Sequence, residues 1–184
     1  MKVLLLDAPQ AMLDERRLLG LDGRDEMWDG VLHMVPPAGG PHQRLGADLL
    51  AALHPLARSR GLQPHYESGL YRTEQDYRVP DQMYCRPETL SEHGADGAEL
   101  VVEILSPADE TYDKIHFYAA LSVREMLIIH PEDHRIELLR LTGGQLVPVA
   151  ADAEGAVESD VLGVTFRTEE STLRIGWAGG AVRI

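Results

Sequence analysis

Residues 99–107 read Glu99-Leu100-Val101-Val102-Glu103-Ile104-Leu105-Ser106-Pro107, and this run decides the fold. From Leu100 to Leu105 the chain is apolar except for one carboxylate. A half-solvated strand would alternate polar and apolar residues, so this run predicts a strand buried on both faces. Ser106-Pro107 stops it, and Ser106 or Asp109 is placed to cap a following helix that runs to about Leu121. Glu103 is the residue that does not belong. An unpaired charge in such a strand costs several kcal/mol, or is neutralised by taking up a proton. Either a structural ion pair with Arg78 or Arg124 satisfies it, or the strand carries a site that needs a carboxylate there.

The neighbouring sequence bears on that choice. Val79-Pro80-Asp81 sets a second carboxylate at the start of the preceding strand, where proline is tolerated because it owes the ladder no N–H. If the two strands pair, Asp81 and Glu103 lie side by side. Two such carboxylates repel unless a divalent cation lies between them, and oxygen-only ligation with room for waters suits Mg²⁺ or Mn²⁺. Lys114, Phe117, Tyr118 and Leu121 follow at helical spacing on one face, which Phe117 and Leu121 turn towards the sheet. Lys114 either snorkels to water from this face or aims its ammonium at the carboxylate pair. Tyr118, one turn further on, packs the lysine stem.

Further out, Met27 to Val35 reads as a hairpin about Asp29-Gly30. Leu45, Leu49, Leu53 and Leu56 predict an amphipathic helix from His42 to Ser59, ended near Gly61. Tyr66–Tyr71 and Val79–Tyr84 suggest a second hairpin joined by the polar residues 73–76. Met126–Ile129 and Ile136–Leu141 read as strands about a Pro131-Glu132-Asp133 turn. Short strands are expected around Leu146–Val149, Val164–Arg167 and Leu173–Ile175. The order predicts an α/β sandwich with a mixed sheet.

Composition narrows the function classes. A chain of 184 residues is one domain, and its formal charge of −13 excludes a general nucleic-acid coat without excluding a local basic groove. The single cysteine, Cys85, excludes cysteine-built zinc sites and internal disulfides. Leu4–Leu6 is too brief for a signal peptide, and no stretch is long enough to span a membrane, so a cytoplasmic protein is expected. The eight histidines show no zinc-ligand spacing. His130 and His134 flank a turn and lack a third ligand. A Gly-rich phosphate loop and a Gly-x-Ser-x-Gly elbow are both absent.

Pro80-Asp81, Glu99–Pro107, Asp113-Lys114 through Tyr118, and Val123–Pro131 together resemble the Uma family of restriction-endonuclease-type proteins, within the PD-(D/E)XK nuclease superfamily. The resemblance extends to Glu26–Gly30, Met34–Pro37 with His42, Leu162-Gly163 and Leu173-Arg174. It implies a restriction-endonuclease-like domain over residues 1–184, with a core at about 26–142 and a β extension at about 143–184. That core is a mixed sheet flanked by helices, with extra hairpins at both ends. It implies Mg²⁺ or Mn²⁺ held by Asp81, Glu103 and the Ile104 carbonyl, DNA as substrate, and a homodimer. Superfamily members carry a lysine two residues after the strand glutamate; here that position is Leu105, and the resemblance assigns the role to Lys114. Glu26 matches an acidic position of the family, as a further metal or water ligand. His42, opening the long helix, is a candidate second-layer or phosphate contact. A non-catalytic, metal-stabilised binding or oligomerisation module is the competing account. Convergence of Arg44, Arg58, Arg60, Arg124 and Arg135 around the carboxylates would favour a nucleic-acid substrate.

Overall fold

The strand Leu100–Ile104 is buried along its whole length and lies inside a six-stranded sheet. A computed structural model describes residues 3–35, 38–106 and 110–184. Sheet order runs Gln145–Pro148, Ile136–Thr142, Glu125–Ile129, Leu100–Ile104, Gln82–Cys85, Gln63–Tyr66. Its one parallel pair is Leu100–Ile104 with Glu125–Ile129, in register Glu103 to Ile128; every other pair is antiparallel.

A parallel pair needs a crossover, supplied by a 3-10 turn at Thr111–Lys114 and a helix at Ile115–Ala120. Asp109, one of the two expected caps, lies outside the described residues. Val101 packs on the crossover side with Phe117, Tyr118, Met126 and Ile128. Leu100, Val102 and Ile104 face the other way, into a core with Leu45, Leu49 and Leu53 of the long helix Gly40–Ser59. Two covered faces explain the near-continuous apolar run.

A seven-stranded sheet flanks this core and includes the predicted hairpin, Glu26–Trp28 with Val31–Met34. Both turn residues, Asp29 and Gly30, have positive φ (47° and 87°), as the tight turn that suits strand twist requires. The second expected hairpin is corrected. Gln63–Tyr66 pairs with Gln82–Cys85 in the central sheet, whereas Leu70–Thr73 pairs with Asp76–Arg78 in the seven-stranded one. Glu67, at φ 45°, turns the chain from one sheet to the other. Beyond the central sheet, Val157–Ser159, Val164–Glu169, Thr172–Trp177 and Gly180–Arg183 form a four-stranded sheet. The first and last of these are short and carry little apolar alternation, and the sequence pattern did not mark them.

Glu125 fastens the four-stranded sheet to the central one. It is 1% exposed, accepts from Arg140 Nη2 at 2.9 Å and from Ser159 Oγ at 2.5 Å, and takes the Asp160 N–H at 2.9 Å. Removing one partner of such a buried network strands the others. Glu125→Ala is therefore expected to lower the unfolding free energy by roughly 3 kcal/mol, read as a lower urea midpoint at unchanged slope.

Candidate active site

Asp81 directly precedes the strand Gln82–Cys85, and Gln82 pairs with Val102. Continuing that antiparallel register sets Asp81 opposite Glu103. The register is locked by a side chain: Asp81 Oδ2 accepts the Ile104 N–H at 2.7 Å. His42, at the start of the long helix, brings Nε2 to 2.8 Å from the Ile104 carbonyl oxygen and 3.3 Å from Asp81 Oδ2. Gly46 faces the Tyr66 ring and the Ile104 side chain, where a Cβ would make ordinary contacts at 3.4 and 3.5 Å.

Glu103 is 4% exposed. Its Oε1 accepts from Lys114 Nζ at 3.1 Å and from Tyr118 Oη at 2.5 Å. The structural ion pair with arginine is thereby corrected. Arg78 bonds Asp76 at 2.9 Å and lies between the rings of Trp28 and Phe117, 4.2 Å from each centroid. Arg124 bonds Glu99 at 2.9 Å. Lys114 is buried and does not snorkel; its other partner is Glu26 Oε1 at 2.8 Å. Glu26 also accepts the Val79 N–H at 3.0 Å and Trp28 Nε1 at 2.7 Å. Tyr118 thus does more than pack the lysine stem: it donates to the central carboxylate.

The charges do not balance. Burial raises the pKa of Glu26, but the Lys114 charge with the Val79 and Trp28 donors outweighs it and holds Glu26 below the usual range. Burial also works against the charged form of Lys114, yet Glu103 and Glu26 keep its pKa above the usual value. Glu103 goes the other way: burial, against the pull of Lys114 and with the negative charges of Asp81 and Glu26 adding to it, pushes it up to about 8. One ammonium thus serves both Glu26 and Glu103, while Asp81, beside His42, adds its negative charge to theirs. Among the described residues no three His, Cys, Asp or Glu side chains form a ready cage for a metal. Two carboxylates with a local excess of negative charge suit an oxygen-liking divalent ion that keeps much of its water.

Sequence patterns missed the neighbours of Asp81 on its other side. The Glu67 N–H bonds the Asp81 carbonyl at 3.1 Å. Gln43 donates to Glu67 at 3.0 Å, Tyr66 donates to Gln43, and Arg24 pairs with Glu67. None of these residues sits in a periodic pattern, so only the folded chain unites them. Of the five arginines considered as a rim, Arg58 and Arg60 lie at the far end of the long helix, about 25 Å from His42. Arg124 precedes the opposite end of its strand. Arg44, one turn into the long helix, and Arg135, in the turn after Ile129, remain at the carboxylate end. His130 belongs to that turn, bonding Glu137 Oε1 and Arg135 Nη2, each at 2.8 Å.

A family model described as "Uma2: Putative restriction endonuclease" matches residues 14–169. The chain belongs to the Uma2 family. The fold agrees with that membership. The crystal structure of a "putative nuclease belonging to DUF820" from Anabaena variabilis superposes with a TM-score of 0.61 at 15% identity, covering 75% of this chain and 82% of that one. No curated protein sequence matches the chain. Uma2 membership places the chain among nuclease-like proteins, and among the described residues no helix is long and apolar enough to cross a membrane.

The raised pKa of Glu103 has a consequence for stability. Its folded value, about 8, lies above the ordinary carboxyl value of 4.5. Between these two pH values the native state holds a proton that the unfolded chain has released, so this group makes stability fall as pH rises. Glu103→Gln keeps an acceptor for Lys114 and Tyr118 without the charge. At pH 8 the variant is expected to be more stable than wild type by roughly 2 kcal/mol, with the difference vanishing towards pH 4.5; urea unfolding across that range checks it.

Proposed function

We propose that the protein is a divalent-metal-dependent endonuclease that hydrolyses DNA phosphodiester bonds at Asp81, Glu103 and Lys114. The observation that carries this reading is the buried Lys114 ammonium, 3.1 Å from Glu103 and 2.8 Å from Glu26, beside a carboxylate pair that still has too little positive charge. In this cluster one ammonium is divided between two carboxylates, with the Asp81 carboxylate beside them. Uma2 membership supports nuclease chemistry over other uses of the same cluster.

Asp81, Glu103 and the Ile104 carbonyl would hold Mg²⁺ or Mn²⁺. A bound ion supplies Lewis-acid polarisation of a phosphoryl oxygen and lowers the pKa of its water. The chain's own residues do the rest. His42 and the Ile104 N–H fix the Asp81 carboxylate, while Tyr118 holds the Glu103 rotamer. Lys114 orients the attacking water and offsets charge building on phosphorus. Glu26 touches no reacting atom in this scheme; it positions Lys114, which stands in for the lysine absent at Leu105.

Mn²⁺ titration by calorimetry on wild type, Asp81→Asn and Glu103→Ala tests the metal site. Binding by wild type and its loss in both variants is expected; binding that persists in Glu103→Ala sinks the assignment. With plasmid DNA and Mg²⁺, Lys114→Ala is expected to slow cleavage by at least about 100-fold while Mn²⁺ binding persists.

A further inference from the structure

Directly paired residues on neighbouring strands project from the same face of a sheet. Glu103 pairs with Ile128, and Ile128 with Glu137, so Glu137 stands on the Glu103 side, two strands away. On the other side Asp81 is followed by Glu67, whose N–H extends the ladder by one bond to the Asp81 carbonyl. Asp81, Glu103, Ile128 and Glu137 therefore lie in one row of the sheet, and Glu67 follows Asp81 one strand further out through its backbone, its carboxylate turned to Gln43 of the long helix; from Glu67 to Glu137 the backbone spans about 19 Å.

The carboxylates at the two ends, Glu67 and Glu137, each hold an arginine. Glu67 pairs with Arg24, whose side chain is 30% exposed. Glu137 Oε1 accepts from Arg135 Nη1 at 2.9 Å, and Tyr112 and His130 converge on the same oxygen. Arg135 Nη2 also donates to His130 Nδ1, and its side chain is 53% exposed. A guanidinium cannot lose its proton, and its fork of N–H donors is more than these partners use. Both arginines are thus fixed by the fold while still open to an anion. In a chain of charge −13, long-range attraction cannot collect DNA, so affinity must come from cations fixed close to the reacting phosphate.

We infer that Arg24 and Arg135 form a backbone track on either side of the carboxylate pair, holding phosphates that flank the scissile one along a single DNA strand. At about 3.4 Å rise per nucleotide, 19 Å corresponds to five or six nucleotides. The substrate is then a polynucleotide gripped across the row, not a mononucleotide or a small diester. This inference rests on the nuclease reading.

The test is fluorescence anisotropy with a short labelled duplex and its single strand, in Ca²⁺ instead of Mg²⁺ and over a range of KCl concentrations. Arg24→Ala and Arg135→Ala are each expected to weaken binding by roughly 5-fold and to reduce the salt slope by about one. Arg58→Ala, at the far end of the long helix, is expected to leave both unchanged. The Arg135 pair is mostly exposed and contributes little to stability; Arg24, part-buried with Glu67, is also replaced by Gln, and circular dichroism shows that each variant is folded before binding is read. Unchanged affinity and slope in both variants overturn the track, as does an equal loss in Arg58→Ala. Mn²⁺ binding is read separately. Its failure with the salt effect intact overturns the metal-dependent nuclease and leaves the track standing.

Discussion

One carboxylate in a buried strand governs the arrangement of this molecule. Glu103 stands in a strand whose other members are Leu, Val, Val and Ile, all buried, and the fold must supply it with partners on the crossover side. Lys114 and Tyr118 meet it from the crossover that links Leu100–Ile104 to Glu125–Ile129, the lysine from its 3-10 turn and the tyrosine from its helix. Glu26 arrives from a different sheet to hold the lysine. The crossover, the sheet and the flanking hairpin are therefore tied together at one polar point. Most of the remaining contact between the crossover and the central sheet is apolar, through Phe117, Met126 and Ile128.

Strong local periodicity explains what could be read from the sequence. The central strand, the Asp29-Gly30 hairpin and the long helix each show a pattern complete within a few turns or residues. Glu103, Asp81 and Lys114 stand out because a charge in or beside an apolar pattern is conspicuous without any knowledge of the fold. Glu26 could be singled out only through the family resemblance, since nothing local marks Glu26-Met27-Trp28 as the lysine's partner. Gln43, Glu67 and Arg24 left no sign, because what unites them is a change of sheet at Glu67. Arginine as the partner of Glu103 was a sound expectation from charge alone. It fails because Arg78 is committed to Asp76 and held between Trp28 and Phe117.

The two edges of the Glu125–Ile129 strand have separate tasks. At its start, Glu125 fastens the four-stranded sheet through Arg140, Ser159 and two backbone N–H groups. At its finish, Ile129 leads into the turn that carries His130 and Arg135 beside the carboxylate row. An anchor at one end and a polar turn at the other follow the usual layout of open sheets, where binding groups collect beyond the carboxyl ends of parallel strands.

The site's one ammonium stands where the 3-10 turn Thr111–Lys114 runs into a short helix. The helix Ile115–Ala120 has six residues, too few to persist without its packing against the sheet. Asp81 and Glu103, by contrast, belong to the ladder at the heart of the molecule. Local opening of the crossover would withdraw Lys114 and Tyr118 together and leave the carboxylates in place. Released from Lys114 and Tyr118, the carboxylates would face solvent while the ladder beneath them held, so the polar cluster comes apart in halves and not all at once.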